Sequence, residues 1–330
     1  MKRKIIRQGH NTLTMTLPSE WVKKFNISSG DDVDVYEKDN CLLINSEKHD
    51  NNMKTEFSID GMDLPTIWKY FMAVYREGYD EVKVKFTPGL ELENPYKFFS
   101  HHQIDLKYGK NIEKKEATDV IQGVVSRFIG FEIIECGVDY VLIRELSQPT
   151  SREFDNSLRR VLLVLQQMAD EILEAIKSSK PKILMHIHDI DITLDKFHDY
   201  CIRILNKVGN KESRKTTLLF STLYLLELMG DEFKSISHHL IYDFKDQNYK
   251  SVVGITESIK EQLDLYYSMF YKFDLSKVTK MSELDMSRYF NVHDTIKKIK
   301  DEAPKEIFHH LRIITRYLNA LTELRIEMEF

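Results

Sequence analysis

The chain has 330 residues, with 47 Lys and Arg against 52 Asp and Glu and a formal net charge of −5. That length holds two to three domains, and that balance excludes a wholly basic nucleic-acid coat while leaving room for a local basic patch. Twelve glycines and seven prolines, beside 42% hydrophobic and 30% charged residues, point to long amphipathic helices. Cys41, Cys136 and Cys201 lie far apart with no C-x-x-C, which argues against a disulfide framework and a Cys-based zinc site. No apolar run is as long as a membrane span, and the opening MKRKIIRQGHNTLTM lacks a signal peptide's apolar core. A cytoplasmic protein without membrane insertion is expected.

In chain order, residues 1–47 read as short strands around one short helix. Ile5-Ile6-Arg7 and Leu13 to Leu17 flank the turn residues Gly9-His10-Asn11. Pro18 opens a helical stretch with Trp21, Val22 and Phe25 at helical spacing, and Val33, Val35 and Leu42 to Ile44 follow as strands. A β–β–α–β–β module this small needs a neighbour or a second copy to complete its core. Residues 50–148 read as a small α/β connecting domain. Its expected elements are a helix from Leu64 closed by Gly78, a strand Glu81–Phe86, a helix Ala117–Phe128 stopped by Gly130, and a hairpin around Gly137. The stretch from Leu90 to Ile112 matches no template.

From Ser151 the pattern is helical throughout. Three runs, from Ser151, from Ile183 after Pro181, and from Arg214 to Tyr242, fill residues 151–243. Three more, Tyr249–Phe273, a broken run around Met281–Lys300, and one after Pro304, fill 244–330. The expected fold is α+β and mainly helical, with a small head, an α/β middle region and two tandem three-helix bundles.

The candidate functional residues fall in two places. Lys2, Arg3, Lys4 and Arg7 put four cations in the first ten residues with no acid among them. On a strand they would project from both faces, as suits an arm lying on a phosphate backbone. With the Leu17-Pro18 step into a helix and the Gly30-Asp31-Asp32-Val33 turn, this segment resembles the AbrB/MazE/SpoVT swapped-hairpin DNA-binding family. The resemblance covers most of residues 1–47. It implies a homodimer whose hairpins interleave into one small barrel, with DNA contacted by Lys2, Arg3, Lys4 and Arg7 and, at the loop tip, His10 and Asn11.

The second place is helical. Asp191 and Asp195 stand four apart, as do Glu227 and Asp231 within the apolar stretch Leu223–Phe233. Like charges at that spacing repel unless a cation sits between them, and buried carboxylates need partners. Four acids on packed helices would make a hard oxygen site for a divalent or trivalent ion such as iron, manganese or magnesium, and His188, His198 and His238 nearby would add affinity for zinc.

Glu227-Leu-Met-Gly-Asp231 resembles the E-R-I-G-D segment of the PhoU family, and Asp191-Ile-Thr-Leu-Asp195 resembles its other acidic copy. The order of head, connector (with Tyr75-Arg-Glu-Gly-Tyr79-Asp80 and Ile129 to Ile133) and two bundles is similar to archaeal PhoU-like regulators along nearly the whole chain. The resemblance implies a metal cluster in the first bundle and regulation of phosphate uptake. The second bundle departs from the pattern, offering Asn319 to Glu323, Asp285 and Asp294, so no second cluster is expected.

Enzymatic readings are weak. No G-x-x-x-x-G-K-[ST], G-x-S-x-G or H-E-x-x-H occurs. Asp195-Lys-Phe-His198 and Glu306-Ile-Phe-His309 have the spacing of di-iron oxidases, but those need two further glutamates and a four-helix bundle. The expectation is a non-enzymatic, DNA-binding transcriptional regulator of phosphate homeostasis, partnered by DNA, a second copy of itself, and a phosphate ABC transporter or signalling protein. The alternative is an adaptor that docks on a transporter or kinase without binding DNA, its head serving only dimerisation.

Overall fold

The computed structural model describes residues 2–9, 12–38, 41–45, 53–94, 113–209, 213–242 and 249–330. In the head, β1 (Ile5–Gln8) pairs antiparallel with β2 (Thr12–Met15), Ile5 opposite Met15. Helix α1 (Ser19–Lys24) follows, with Pro18 as its extended N-cap and Trp21 and Phe25 in ring contact at 5.4 Å. β3 (Asp34–Lys38) pairs with β4 (Cys41–Asn45). The two hairpins form separate two-stranded sheets, and no described head residue is buried. Ile5, Leu13 and Leu42 are 67%, 66% and 64% exposed. Isolated hairpins with bare apolar faces are marginal in water, so one copy of this head leaves its core unfinished.

The connector holds a four-stranded sheet in the order β5-β6-β10-β9. β5 (Lys54–Ser58) runs parallel to β6 (Glu81–Lys85). The crossover between them is α2 (Leu64–Glu77), capped by the Asp63 carboxylate on the Thr66 N–H and ended by Gly78 at φ +100°. A short ribbon of β7 (Glu91–Asn94) and β8 (Glu113–Glu116) precedes α3 (Ala117–Val125). β9 (Phe131–Cys136) and β10 (Tyr140–Glu145) close the sheet as a hairpin. The stretch Leu90–Ile112 is described only to Asn94, and 95–112 lie outside the described residues.

The remaining chain is helical. α4 (Ser151–Ser178) begins with a reciprocal capping box between Thr150 and Glu153. Residues Pro181–His186 form a 3-10 turn, so α5 (Ile187–Lys207) starts later than the apolar run suggests. α6 (Ser213–Tyr242), α7 (Lys250–Tyr271), α8 (Leu275–Lys298) and α9 (Glu302–Glu327) complete it. α8 is continuous and starts earlier than the broken pattern implied, because Asp274 caps it through the Ser276 N–H. α4, α5 and α6 pack pairwise, α7 packs with α8 and α9, and the two sets meet along α4–α7 and α6–α9. Their apolar side chains and those of the connector form one continuous core. No helix among the described residues is long and apolar enough to cross a membrane.

One glycine sets the helix spacing around the acids. A Cβ on Gly230 of α6 would stand 2.1 Å from Leu194 Cδ2 on α5, with Leu165 Cδ2 of α4 at 3.7 Å. Gly230→Ala should cost about 1–3 kcal/mol by overpacking, read as a lowered melting temperature; an unchanged melt would show that Leu194 yields freely.

Candidate functional site

The strand expected for the basic arm begins only at Ile5. Lys2, Arg3, Lys4 and Arg7 are exposed; Arg7 stands on β1, while Lys2, Arg3 and Lys4 precede it. Among the described residues no ion pair holds any of these four cations. His10 and Asn11, at the tip between β1 and β2, lie outside the described residues.

The acid cluster is built on α5, where Asp191, Asp195, Asp199, Arg203 and Lys207 recur every four residues. Four residues overshoot one turn of 3.6, so each step rotates by about 40° around the helix. The stripe therefore faces α6 at its acidic start and the connector at its basic end. Its polarity, acids first and cations last, also suits the helix dipole.

At the connector end Arg203 is fully buried. Its Nε donates to Glu145 Oε1 at 2.9 Å, and its two terminal nitrogens donate to the Tyr75 and Tyr79 carbonyls at 2.6 and 2.8 Å. The guanidinium lies over the Tyr75 and Phe131 rings at 4.9 and 4.8 Å. Lys207 Nζ bridges Asp80 and Glu145, while Arg76 Nη2 of α2 reaches Asp199 Oδ1 at 2.6 Å. The segment Tyr75-Arg-Glu-Gly-Tyr79-Asp80 is thus the joint between connector and helices.

At the other end Asp191 is buried and Asp195 half-buried, both on α5. Glu227 and Asp231 face them from α6, one turn apart, on either side of the close crossing at Gly230. A cation does sit between the pairs. Lys234 Nζ donates to Asp191 Oδ2 at 2.8 Å and to Asp231 Oδ1 at 2.6 Å. Burial pushes Asp191, Asp195 and Glu227 above the usual carboxylate range, Asp195 well above it, and neighbouring acids push each of them further. Lys234 is held above the ordinary lysine value, Asp191 and Asp231 outweighing its burial. Asp231 is the most open of the four, its side chain 47% exposed.

The histidines divide. His188 lies near Asp191 with its pKa lowered, mainly by burial. His198 is fully buried, with Nδ1 3.2 Å from Asp199 Oδ1 and Nε2 without a hydrogen-bond partner. His238 contacts the Tyr242 ring at 4.6 Å.

The donor chemistry of the four carboxylates fits a hard cation, and Asp191 Oδ1 is a buried oxygen with no hydrogen-bond partner. In the geometry present, Lys234 holds the cation's place. Among the described residues no three His, Cys, Asp or Glu side chains gather closely enough to hold one ion. Two cations escaped the sequence reading. Lys234 follows Asp231 by three, an i,i+3 spacing that could have revealed it; Arg127, coupled electrostatically to both Asp195 and Asp191, comes from the turn after α3 and no local spacing could.

Residues 6–50 match the family model described as antidote-toxin recognition MazE, bacterial antitoxin. The chain's head is therefore a MazE-like domain, of the wider AbrB/MazE-like kind. No curated protein and no solved structure matches the chain.

Proposed function

We propose that the protein is a homodimeric, DNA-binding transcriptional regulator of phosphate uptake, without enzymatic activity, working in the cytoplasm. The observation that carries the DNA-binding part is the match of residues 6–50 to a MazE model on a head whose four cations stand exposed and, among the described residues, in no ion pair. Domains of this kind are typically DNA-binding and dimeric. The bare Ile5, Leu13 and Leu42 support a second copy completing the barrel. His10 and Asn11, at the loop tip, belong to the same proposed interface.

The phosphate part rests on the likeness of the Asp191–Asp195 and Glu227–Asp231 segments to the PhoU family, with residues 151–243 and 244–330 as its two three-helix bundles. There the helices would serve as sensor or docking module for a phosphate ABC transporter or signalling protein. Asp191, Asp195, Glu227 and Asp231 would hold an iron, zinc, manganese or magnesium ion, which would supply a positive charge tying α5 to α6. Lys234 would have to withdraw. Asp195→Asn with Asp231→Asn should strip metal from the purified protein and leave the dimer intact, whereas Lys234→Ala should raise metal content. Elemental analysis showing the same content in all three proteins would remove these residues from the site.

The deciding experiment for the whole reading is sequencing of DNA co-purified with the intact protein, beside Arg3→Ala/Arg7→Ala. Discrete sites near phosphate-transport genes, lost in the variant, are expected. Uniform background in both would favour the adaptor reading, in which the exposed apolar head serves dimerisation alone.

A further inference from the structure

A cavity of about 520 Å³ opens between the connector and the helical half, lined by Gly123 of α3, by Ser126 and Arg127 just after it, and by Asp189, Ile192, Thr193 and Lys196 of α5. The α5 residues lie three and four apart, so they form one helix face turned towards the end of α3. Its size suits an organic ligand of moderate mass; a lone inorganic anion would leave most of it to water.

The lining is chemically specific. Arg127 and Lys196 bring two positive charges from two different elements, and the Ser126 and Thr193 hydroxyls, which donate to the Gly123 and Asp189 carbonyls, line the same space. Two cations call for a ligand group with more than one negative charge, and a planar guanidinium beside an ammonium matches the oxygens of a phosphoryl group. Burial outweighs the pull of Asp195 and Asp191 on Arg127 and lowers its pKa. Asp189, the acid in the lining, would repel a fully ionised group. It would accept a hydrogen bond from a monoprotonated phosphate or from a ligand hydroxyl, which sulfate cannot offer.

We infer that this cavity is a binding site for a phosphoryl group, free or carried on a small organic molecule, held by Arg127 and Lys196 with Asp189 selecting against sulfate. Binding there would join α3 to α5 beside the acid cluster. The inference stands on the cavity's own lining and is independent of DNA binding and of the metal.

The structure supplies a reporter. The Arg127 guanidinium lies 5.2 Å from the centre of the Trp68 ring, which stacks on Phe128 at 5.5 Å. A ligand that draws on Arg127 changes the surroundings of Trp68, and Trp21→Phe in the full chain leaves Trp68 as its sole tryptophan. Inorganic phosphate, ADP and sulfate would each be titrated, by fluorescence and in parallel by calorimetry. A saturable response to phosphate or ADP is expected, at least tenfold weaker for sulfate and at least tenfold weaker in Arg127→Gln and in Lys196→Gln. Phosphate binding as tightly as ADP would identify the free ion as sufficient, and binding of ADP alone would identify an organic phosphate. Heat and fluorescence both silent with phosphate and ADP would overturn the inference. So would equal binding of sulfate, or unchanged affinity in both variants. Lys196 is half-buried on a long helix, so Lys196→Gln keeps the test valid even if Arg127→Gln unfolds.

Discussion

Arg203→Ala should destabilise the protein by about 3–5 kcal/mol, the range for removing one member of a buried ion pair. The loss has three parts. Glu145 Oε1 and the carbonyls of Tyr75 and Tyr79 lose the guanidinium donors, the first two in a buried setting and Tyr79 in a part-buried one, while Lys207 still holds Glu145 Oε2. The guanidinium's contact with the Tyr75 and Phe131 rings disappears. A cavity as long as the side chain is left under the sheet. Arg203→Lys should recover only a fraction, because an ammonium cannot span one carboxylate and two carbonyls at once. Denaturant melts of the two variants against the parent measure this, and a loss below about 1 kcal/mol would mean that the joint is peripheral to stability.

The same joint carries a pH dependence. Burial alone would raise the Asp80 pKa, but hydrogen bonds from Lys207 and the Met53 N–H outweigh it and hold the carboxyl below its ordinary 3.8. A depressed carboxyl contributes stability that is complete above its unfolded value and lost as pH falls through its folded one. Stability from this joint should therefore be flat from neutrality to about pH 4 and fall below it, with Asp80→Asn flattening the fall.

The second large effect concerns the arm. With four cations on each of two copies, binding to duplex DNA involves at most about eight phosphate contacts, so the log–log slope against salt is no steeper than about −7. Arg3→Ala/Arg7→Ala removes half of them and should bring that limit to about −3.5. Between 50 and 200 mM salt the parent would then lose up to about 10⁴-fold in affinity and the variant about 100-fold. Fluorescence anisotropy over that range reads both slopes. Equal slopes would place the contacts elsewhere in the head, and weak binding without salt dependence would favour the adaptor.

The long helices were legible because burial repeats every three or four residues along α4 and α6, and Gly78 ends α2 through positive φ; Gly130, expected to stop the helix from Ala117, instead lies beyond α3, which ends at Val125 with Ser126 as its cap. β5 went unseen because Lys54 to Ser58 alternates with only one large apolar residue, Phe57, at the edge of the sheet. Of the acid cluster, the two carboxylate pairs were readable as spacings, and the condition that a cation stand between them was met by Lys234. The joint was not readable. Arg203 looks like a polar interruption in an apolar run, and its partners Tyr75, Tyr79 and Glu145 come from a different part of the chain. The cavity at Arg127 is likewise a product of tertiary approach between α3 and α5.

The contact of α6 with α9, alongside that of α4 with α7, has a practical consequence for anyone dissecting the chain. A fragment cut at residue 243 would keep every carboxylate of the cluster yet strip α9 from α6 and α7 from α4, opening the shared core. Such a piece should be sticky and poorly soluble, however complete its acidic motifs. The smallest dependable excision is all six helices together with the connector that Arg203 pins to them.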